Sequence, residues 1–298
     1  MDTIVTITVV NDSKVAADRA IEHAFNELKR LEKSFNFYSE ESELSMINRN
    51  AGLRPVKVSE DMMDILKKAI YVSELSGGAF DITTGPLTRL WDFHKKNLPD
   101  RGRLKEALKL VGYKNIIINE KDSTVFFKKK GMLIDLGGIA KGYGADRAIE
   151  ILKAEGMKAA LVAIAGDIRA YGVKNNGNPW MIGIKHPRAK GDDDLIATLP
   201  LKDAAISTSG DYERFFIKNG KRYHHILNPL TGYPADSTGG VSVIGDAGYL
   251  TDSIATAVFL LGPEKGIDLL RKLGLKGVFI TEDGKRFLTG DIDGIRFK

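Results

Sequence analysis

Cysteine is absent from this chain of 298 residues, so disulfides, thiolate metal sites and cysteine nucleophiles are excluded. Any metal ion must therefore be held by oxygen or histidine ligands. The sequence also lacks an apolar run near the roughly 18 residues that a membrane-spanning helix needs. Internal repeats, low-complexity tracts and long linkers are missing as well. This predicts one catalytic domain over residues 1–298, or two intimately joined subdomains.

Charge of one sign is not concentrated anywhere along the chain. The 44 Lys and Arg residues exceed the 39 Asp and Glu residues by 5, and they are scattered among the acidic positions. A nucleic-acid-binding protein would instead collect its basic residues into a stripe with interleaved aromatic residues. The composition therefore argues against a nucleic-acid partner and mildly favours an anionic ligand.

Hydrophobic periodicity predicts strands and helices in separate blocks. An alternating strand opens the chain at 3–10, and helices are expected over 13–35, 59–77, about 139–155, 251–262 and 263–273. The stretch 159–243 is mostly strands with Gly, Asn and Pro turns, and further strands follow near 277–281 and 285–288. Because the two kinds of element are grouped rather than strictly alternating, the predicted fold class is α+β with largely antiparallel sheets flanked by helices.

Asp252 and Thr256 begin an otherwise apolar helical stretch that stops at Gly262 and Pro263. Their spacing places a carboxylate and a hydroxyl on one face of the helix, which is a pattern typical of a hard-cation site. We expect Asp252 in the first turn, where a negative charge suits the helix dipole. The structural alternative is that Asp252 caps the helix and Thr256 bonds back to the preceding turn.

Two glycine-containing turns could bind a ligand. The segment 134–146 ends a strand, passes through Gly137 and Gly138 and enters a helix at which Lys141 lies. Exposed amides, a helix N-terminus and a lysine together make a phosphate cradle, although the glycine spacing fits neither the Walker loop nor the dinucleotide fingerprint. The turn 76–87 places Phe80 and Asp81 between glycines, and its alternative interpretation is a helix stop followed by a strand.

Adjacent histidines, His224 and His225, precede a turn that contains two prolines and a glycine. In a strand neighbouring side chains point to opposite faces, so only one of the two can face a common site. A histidine near neutral pKa is a natural general base for a hydroxyl. A structural hydrogen-bonding role is the alternative.

Taken together, these stretches resemble the ApbE family over nearly the whole chain. The resemblance also includes the segment 37–45 and the Ala-Gly-Asp-Ile segment at 165–168. It implies an ApbE-like (T-fold-like) architecture. It further implies an enzyme that moves FMN from FAD onto a Thr or Ser hydroxyl of a target flavoprotein and releases AMP. FAD is then the substrate and Mg²⁺ the cofactor.

Individual residues match the family's functional positions. The side chains of Asp252 and Thr256, with the backbone carbonyls of Ala140 and Ala255, match the metal ligands, so Asp252 is expected to be catalytic through the metal. His225 matches the base for the incoming hydroxyl. Lys141 is inferred from its position to contact the pyrophosphate. The residues that match flavin-nucleotide contacts are Met1, Tyr38, Ala79, Phe80, Asp81, Gly137, Tyr143 and Ile226.

Two other functions stay open at this point: an FAD pyrophosphatase that gives FMN and AMP, and a non-catalytic FAD-binding protein. The resemblance implies an acceptor with an Asp-Gly and Ser/Thr-containing motif, such as a membrane redox-complex subunit. It also implies the extracytoplasmic face of the cell envelope, whereas this chain opens on the first family strand without a leader, which leaves a cytoplasmic location open. Asn228 stands where the family often has Asp, and little effect is expected because both residues suit turns.

Overall fold

The computed structural model of the chain describes residues 3–93, 95–189, 191, 194–236 and 238–298. Within these ranges the helices are α1 (Lys14–Phe35), α2 (Glu43–Arg49), α3 (Glu60–Leu75), α4 (Gly85–Thr88), α5 (Arg101–Leu108), α6 (Ala140–Ala154) and α7 (Gly248–Leu273). The strands are β1 (Val5–Val10), β2 (Val56–Lys57), β3 (Ile116–Asn119), β4 (Thr124–Phe127), β5 (Ala159–Ile164), β6 (Asp167–Tyr171), β7 (Trp180–Lys185), β8 (Leu195–Leu201), β9 (Ala205–Gly210), β10 (Phe215–Lys218), β11 (Lys221–His224), β12 (Gly240–Gly245), β13 (Lys276–Ile280), β14 (Arg286–Thr289) and β15 (Arg296–Phe297). None of the helices in these ranges is both long and apolar enough to cross a membrane.

The main sheet has seven strands in the order β1-β5-β6-β9-β12-β13-β14. Smaller sheets are formed by β10-β11, by β15-β8-β7 and by β2-β4-β3. Every pairing between these strands is antiparallel. The predicted α+β class with largely antiparallel sheets is therefore confirmed.

Helices α1, α6 and α7 pack against the main sheet and against each other. Ala20, Ala24 and Leu28, which the helical period of α1 places on one face, are buried against α6 and β5. A second apolar cluster surrounds α7 and includes Ile254 and Phe259. The functional elements α6 and α7 are thus held from both sides by the core.

The start of α7 differs from the sequence prediction. The helix begins at Gly248, so Asp252 lies in its second turn and there is no acidic residue in the first. Ala247, at the N-cap, offers no side-chain cap. Instead the amides of Gly248 and Tyr249 donate to the carboxylate of Asp146 on α6, at 2.8 and 2.9 Å. Asp252 therefore does not cap α7, which was the structural alternative to a metal-binding role.

The predicted break at Gly262 and Pro263 is present: the backbone of Gly262 is not helical, and two helical stretches meet there at a kink. Gly262 has φ 75° and ψ 173°, and Pro263 follows it inside α7. A positive φ is readily adopted by glycine, and proline cannot donate the amide that a straight helix would need. The two predicted helices are therefore both present, and they join at a kink within Gly248–Leu273.

Helices α6 and α7 approach each other most closely at two glycines. A methyl group built on Gly142 would lie 2.1 Å from the carbonyl oxygen of Gly248 and 2.7 Å from Cβ of Asp252. Since backbone occupies that space, a side chain at 142 would push the helices apart. This contact sets the distance between α6 and Asp252.

We therefore expect Gly142→Ala to lower the free energy of unfolding by at least about 2 kcal/mol, since overpacking of a core costs about 1–3 kcal/mol and here backbone itself must move. Helix propensity alone would favour alanine by about 1 kcal/mol, so a measured loss of stability reports the clash between the added methyl group and the Gly248 backbone. Gly191→Ala, whose added methyl would meet nothing within 4 Å, is the control. Denaturant unfolding of the two variants checks this, and equal stability would contradict the close contact.

Candidate functional site

A trio of charges, two buried carboxylates and a partly exposed ammonium, joins α6, α7 and the main sheet. Asp252 on α7 and Asp167 at the start of β6 are each 3% exposed. The Lys141 ammonium on α6 pairs closely with Asp167 and lies 3.4 Å from Oδ1 of Asp252. Oδ2 of Asp252 accepts a hydrogen bond from the Gly142 amide at 2.9 Å. The sequence-predicted residues Lys141 and Asp252 are thus in the same site.

The trio perturbs the protonation of its members. Burial, and then the charge of Asp167, raise the pKa of Asp252, whereas Lys141 and the Gly142 amide act in the opposite direction. Burial alone would lower the pKa of Lys141, but the charges of Asp167 and Asp252 outweigh it and the pKa is raised. Lys141 is therefore a permanent cation between two buried carboxyl groups.

Thr256 lies one helical turn beyond Asp252, beneath the glycine loop. Its Oγ1 is 3.5 Å from Oγ of Ser209 on β9 and 3.4 Å from the Asp252 carbonyl oxygen, so the back-bond to the preceding turn is long. A methyl group built on Gly138 would lie 3.4 Å from Thr256 Oγ1 and 3.2 Å from the Phe80 ring. Three separately predicted stretches, at 78–81, 134–146 and 252–256, therefore meet here.

The donors at this place fit a hard divalent cation. Asp252 supplies a carboxylate and Thr256 a hydroxyl. Over the described ranges no three His, Asp or Glu side chains form a metal cluster. Mg²⁺ is nevertheless often bound through one or two carboxylates together with substrate phosphates. Ala140 and Ala255 are helical residues whose carbonyls already accept one helix amide and keep one lone pair, so these two ligands stay predictions.

Of the two adjacent histidines, His225 is the one on which the charge of Lys141 acts. His224 is buried in a structural role: its Nε2 donates to the Ala235 carbonyl at 2.6 Å, and its Nδ1 accepts from the Ile226 amide at 3.3 Å. Nδ1 of His225 is buried and has no hydrogen-bond partner among the described residues. Burial and then the positive charges of Arg214, His224 and Lys141 lower the pKa of His225 to about 3. The imidazole is therefore neutral at physiological pH, and its low pKa makes it a weak base in this environment.

Comparison with known proteins gives the family of this chain. Residues 1–279 match the ApbE family. The chain belongs to the ApbE family. An FAD:protein FMN transferase from Treponema pallidum (strain Nichols) is 35% identical over 295 residues, covering 93% of this chain and 81% of that protein. The crystal structure of the ApbE protein from Thermotoga maritima has 37% identity and a TM-score of 0.89, covering 96% of this chain and 94% of that one. A mutant of the flavin transferase ApbE from Vibrio cholerae has 28% identity and a TM-score of 0.86, covering 97% and 95%.

Two residues predicted to contact the flavin nucleotide in this ApbE-family chain lie at the open edge of the site. Tyr38 is 77% exposed, with its ring edge-on to Phe37 at a centroid distance of 5.3 Å. Burial of part of the side chain, and then the charge of Asp135, raise the pKa of Tyr38. The same Asp135 accepts a hydrogen bond from the Gly137 amide at 2.9 Å. Asp135 therefore interacts with both residues: it accepts a hydrogen bond from Gly137, and its charge acts on Tyr38, whose ring is exposed.

The carboxylate of Asp81 is already engaged within the protein. It accepts hydrogen bonds from the amide and hydroxyl of Thr83, at 2.8 and 2.6 Å, and from the Tyr113 amide at 2.9 Å. These bonds cap the short 3₁₀ turn Ile82–Thr84. The side chain thus holds the loop in place, whereas a nucleotide contact by Asp81 stays a prediction.

Other predicted contacts are covered by protein. Tyr143 is 3% exposed: its ring packs edge-on to Phe35 at 5.9 Å, and its hydroxyl bonds to Asp64 of α3. The structure therefore offers no open face of Tyr143 to a ligand. Phe80 and Ile226 are buried in the apolar core, where Phe80 lies directly under the glycine loop. Ala79 is half-buried beside them, and Met1 lies outside the described residues.

Sequence reasoning missed Asp167 and Arg214 as site residues. Asp167 lies within the Ala-Gly-Asp-Ile segment that resembles the family, but its pairing with Lys141 depends on the packing of α6 on β6. Arg214 directly precedes β10, and its carbonyl accepts the His225 amide at 3.1 Å. Its charge acts on His225 and Tyr38. A surface arginine in a mixed-charge stretch carries no sequence pattern that would have identified it.

Concave shape alone does not locate this site. One depression of about 630 Å³ is lined by residues of α5 and its surroundings, and another of about 310 Å³ lies between α3 and the C-terminal part of α7. Neither is lined by any predicted site residue. The chemistry of the side chains, rather than the shape of the surface, identifies the candidate site.

Proposed function

We propose that this ApbE-family chain transfers the FMN moiety of FAD to a Thr or Ser hydroxyl of an acceptor flavoprotein and releases AMP. The observation that carries the proposal is the buried Asp252 carboxylate, with Thr256 and Lys141, beneath the glycine loop and near a neutral His225. Relatives named FAD:protein FMN transferase support it. The mildly basic composition agrees with an anionic substrate.

In the proposed reaction the acceptor oxygen forms a bond to the phosphorus on the FMN side of the pyrophosphate. The bond between that phosphorus and the bridging oxygen breaks, and the bridging oxygen leaves with AMP. The hydroxyl proton goes to the ring of His225, which is neutral because burial and nearby positive charges lower its pKa to about 3. Lys141 supplies a fixed positive charge beside the pyrophosphate.

Asp252 and Thr256 would hold Mg²⁺, together with the carbonyls of Ala140 and Ala255. When bound, the ion supplies Lewis-acid polarisation of the phosphoryl oxygens. The chain's own contribution is to fix Asp252: the Gly142 amide orients its carboxylate, and the Asp146 cap sets the start of α7. These contacts position the carboxylate before any ion arrives.

The test is to incubate the purified chain with FAD, Mg²⁺ and an acceptor domain bearing an Asp-Gly and Ser/Thr motif, and to weigh the acceptor by intact-protein mass spectrometry. We expect a gain of one FMN that depends on Mg²⁺ and on the acceptor hydroxyl, with Ser/Thr→Ala in the acceptor as the control. Free FMN and AMP without a gain would replace the transferase by a pyrophosphatase. Intact FAD would instead support a binding protein.

We also propose that the acceptor is a redox protein of the cell envelope, such as a membrane redox-complex subunit, met at the extracytoplasmic face. The resemblance to the family supports this location. Fractionation of cells that produce the full-length protein, followed by immunodetection, tests it. Recovery of the protein in the cytoplasmic fraction alone would overturn the proposed location without affecting the proposed chemistry.

A further inference from the structure

The Lys141 ammonium lies unequally between its two carboxylate partners. It forms the closer ion pair with Oδ2 of Asp167, while Oδ1 of Asp252 is 3.4 Å away. The side chains of Asp167 and Asp252 are 4% and 5% exposed, whereas that of Lys141 is 30% exposed, so solvent reaches the two interactions only from the side of the ammonium. The lysine thus faces the oxygen of Asp252 that the Gly142 amide does not occupy.

This position matters because Asp252 is the one carboxylate among the proposed metal ligands. Lys141 already forms a long hydrogen bond of 3.4 Å with Oδ1 of Asp252. An ammonium that paired with Oδ1 as closely as it pairs with Asp167 would occupy the place of a divalent cation and neutralise the charge that attracts it. With Asp167 and Asp252 both ionised, the trio carries a net charge of −1, from two carboxylates and one ammonium. Without the charge of Asp167 the trio would be neutral, and Lys141 would have Asp252 as its only partner within the trio.

We propose that Asp167 is a positioning residue that draws the Lys141 ammonium away from Asp252 and thereby keeps Asp252 available to a divalent cation. This inference rests on the metal site of the proposed function. Asp167 acts on the ion through Lys141 rather than as a ligand. The same pairing keeps the lysine charge fixed beside the place where the pyrophosphate is proposed to bind.

Metal binding measured without FAD tests the proposal independently of transfer. The probe is Mn²⁺, which prefers the same oxygen ligands as Mg²⁺ and whose unbound fraction is measured by electron paramagnetic resonance. We expect Asp167→Asn to weaken Mn²⁺ binding by about 10-fold or more, the range seen when a residue that supports a ligand is removed. Lys141→Met is expected to strengthen binding, because the competing ammonium is gone.

The double variant separates a positioning role from a ligand role. If Asp167 acts through Lys141, Asp167→Asn has little effect in the Lys141→Met background, within about 3-fold, because the two positions are coupled. Equal losses in both backgrounds would overturn the proposal and make Asp167 a metal ligand. Wild-type affinity in Asp167→Asn would overturn it as well.

Lys141→Met leaves two buried carboxylates without their cation and could fail to fold. The crystal structure of Asp167→Asn is therefore a second, independent measurement, since this variant keeps Lys141 paired with Asp252. We expect the Nζ to Oδ1 separation to shorten from 3.4 Å to a direct ion pair of about 2.8 Å. An unchanged lysine position would overturn the proposal. If FMN transfer is absent but the Mn²⁺ affinities of the single and double variants change as expected, only the proposed function is contradicted.

Discussion

Replacing Asp252 with Asn is expected to lower the rate of FMN transfer by at least about 10²-fold, because residues that only support a metal ligand already account for 10–100-fold. The substitution keeps the shape of the side chain and an oxygen that can accept the Gly142 amide, so the contact between α6 and α7 is retained. It removes the negative charge that a divalent cation requires. The measurement is the initial rate of acceptor mass gain at saturating FAD, over a range of Mg²⁺ concentrations.

Asp268→Asn is the matched control, since Asp268 lies on the same helix but is 64% exposed and pairs only loosely with Arg271, at 3.8 Å. Exposed pairs of this kind contribute about 0–1 kcal/mol, so neither transfer nor stability should change appreciably. Full activity of Asp252→Asn, with an unaltered Mg²⁺ dependence, would remove Asp252 from the proposed metal site.

Replacing His225 with Gln is expected to lower the transfer rate by about 10²–10⁴-fold, the usual contribution of a positioned general base. Burial and the charges of Arg214, His224 and Lys141 favour the neutral imidazole of His225, and its Nδ1 has no hydrogen-bond partner in the described part of the chain. The ring is thus unprotonated at neutral pH, and a negatively charged substrate beside it would raise its pKa and with it its basicity. FAD binding should be largely kept, so the loss should appear in kcat more than in KM.

His23→Gln is the control for this substitution. His23 lies on the surface helix α1, where its Nδ1 is 2.7 Å from a carboxylate oxygen of Glu155, far from the site in the fold. We expect its transfer rate to equal that of the unsubstituted chain. A normal rate in His225→Gln would assign the proton to another acceptor and contradict the proposed role.

The two histidines show which parts of the site could be predicted. The alternation of side chains along a strand predicted that only one of them would face a common site. Strand β11 ends at His224, which lies in the core, and His225 follows the strand, where the charge of Lys141 acts on it. The pattern alone did not say which one. That choice depends on the contacts of the His224 ring with Ala235, 11 residues further along the chain, and with Phe259 of α7.

Tyr143 shows the opposite case, in which a matched position does not guarantee an accessible side chain. Helical geometry turns successive residues of α6 by about 100° each, so Lys141 and Tyr143 point in different directions. Lys141 meets Asp252, whereas the Tyr143 ring is covered by α1 and α3. Which direction is open to a ligand depends on the neighbouring helices.

The sequence by itself determined the class of the fold, the helical spacing of Asp252 and Thr256, the break at Gly262 and the restriction of any metal to oxygen or histidine ligands. These follow from local periodicity, from backbone preferences and from composition. The tertiary structure alone decided that Asp146 caps α7, that Gly142 meets Gly248 and that Lys141 joins Asp167 to Asp252. Each of these contacts joins residues more than 20 positions apart. The packing of α6 and α7 on the sheet brings them together, and no local pattern encodes that packing.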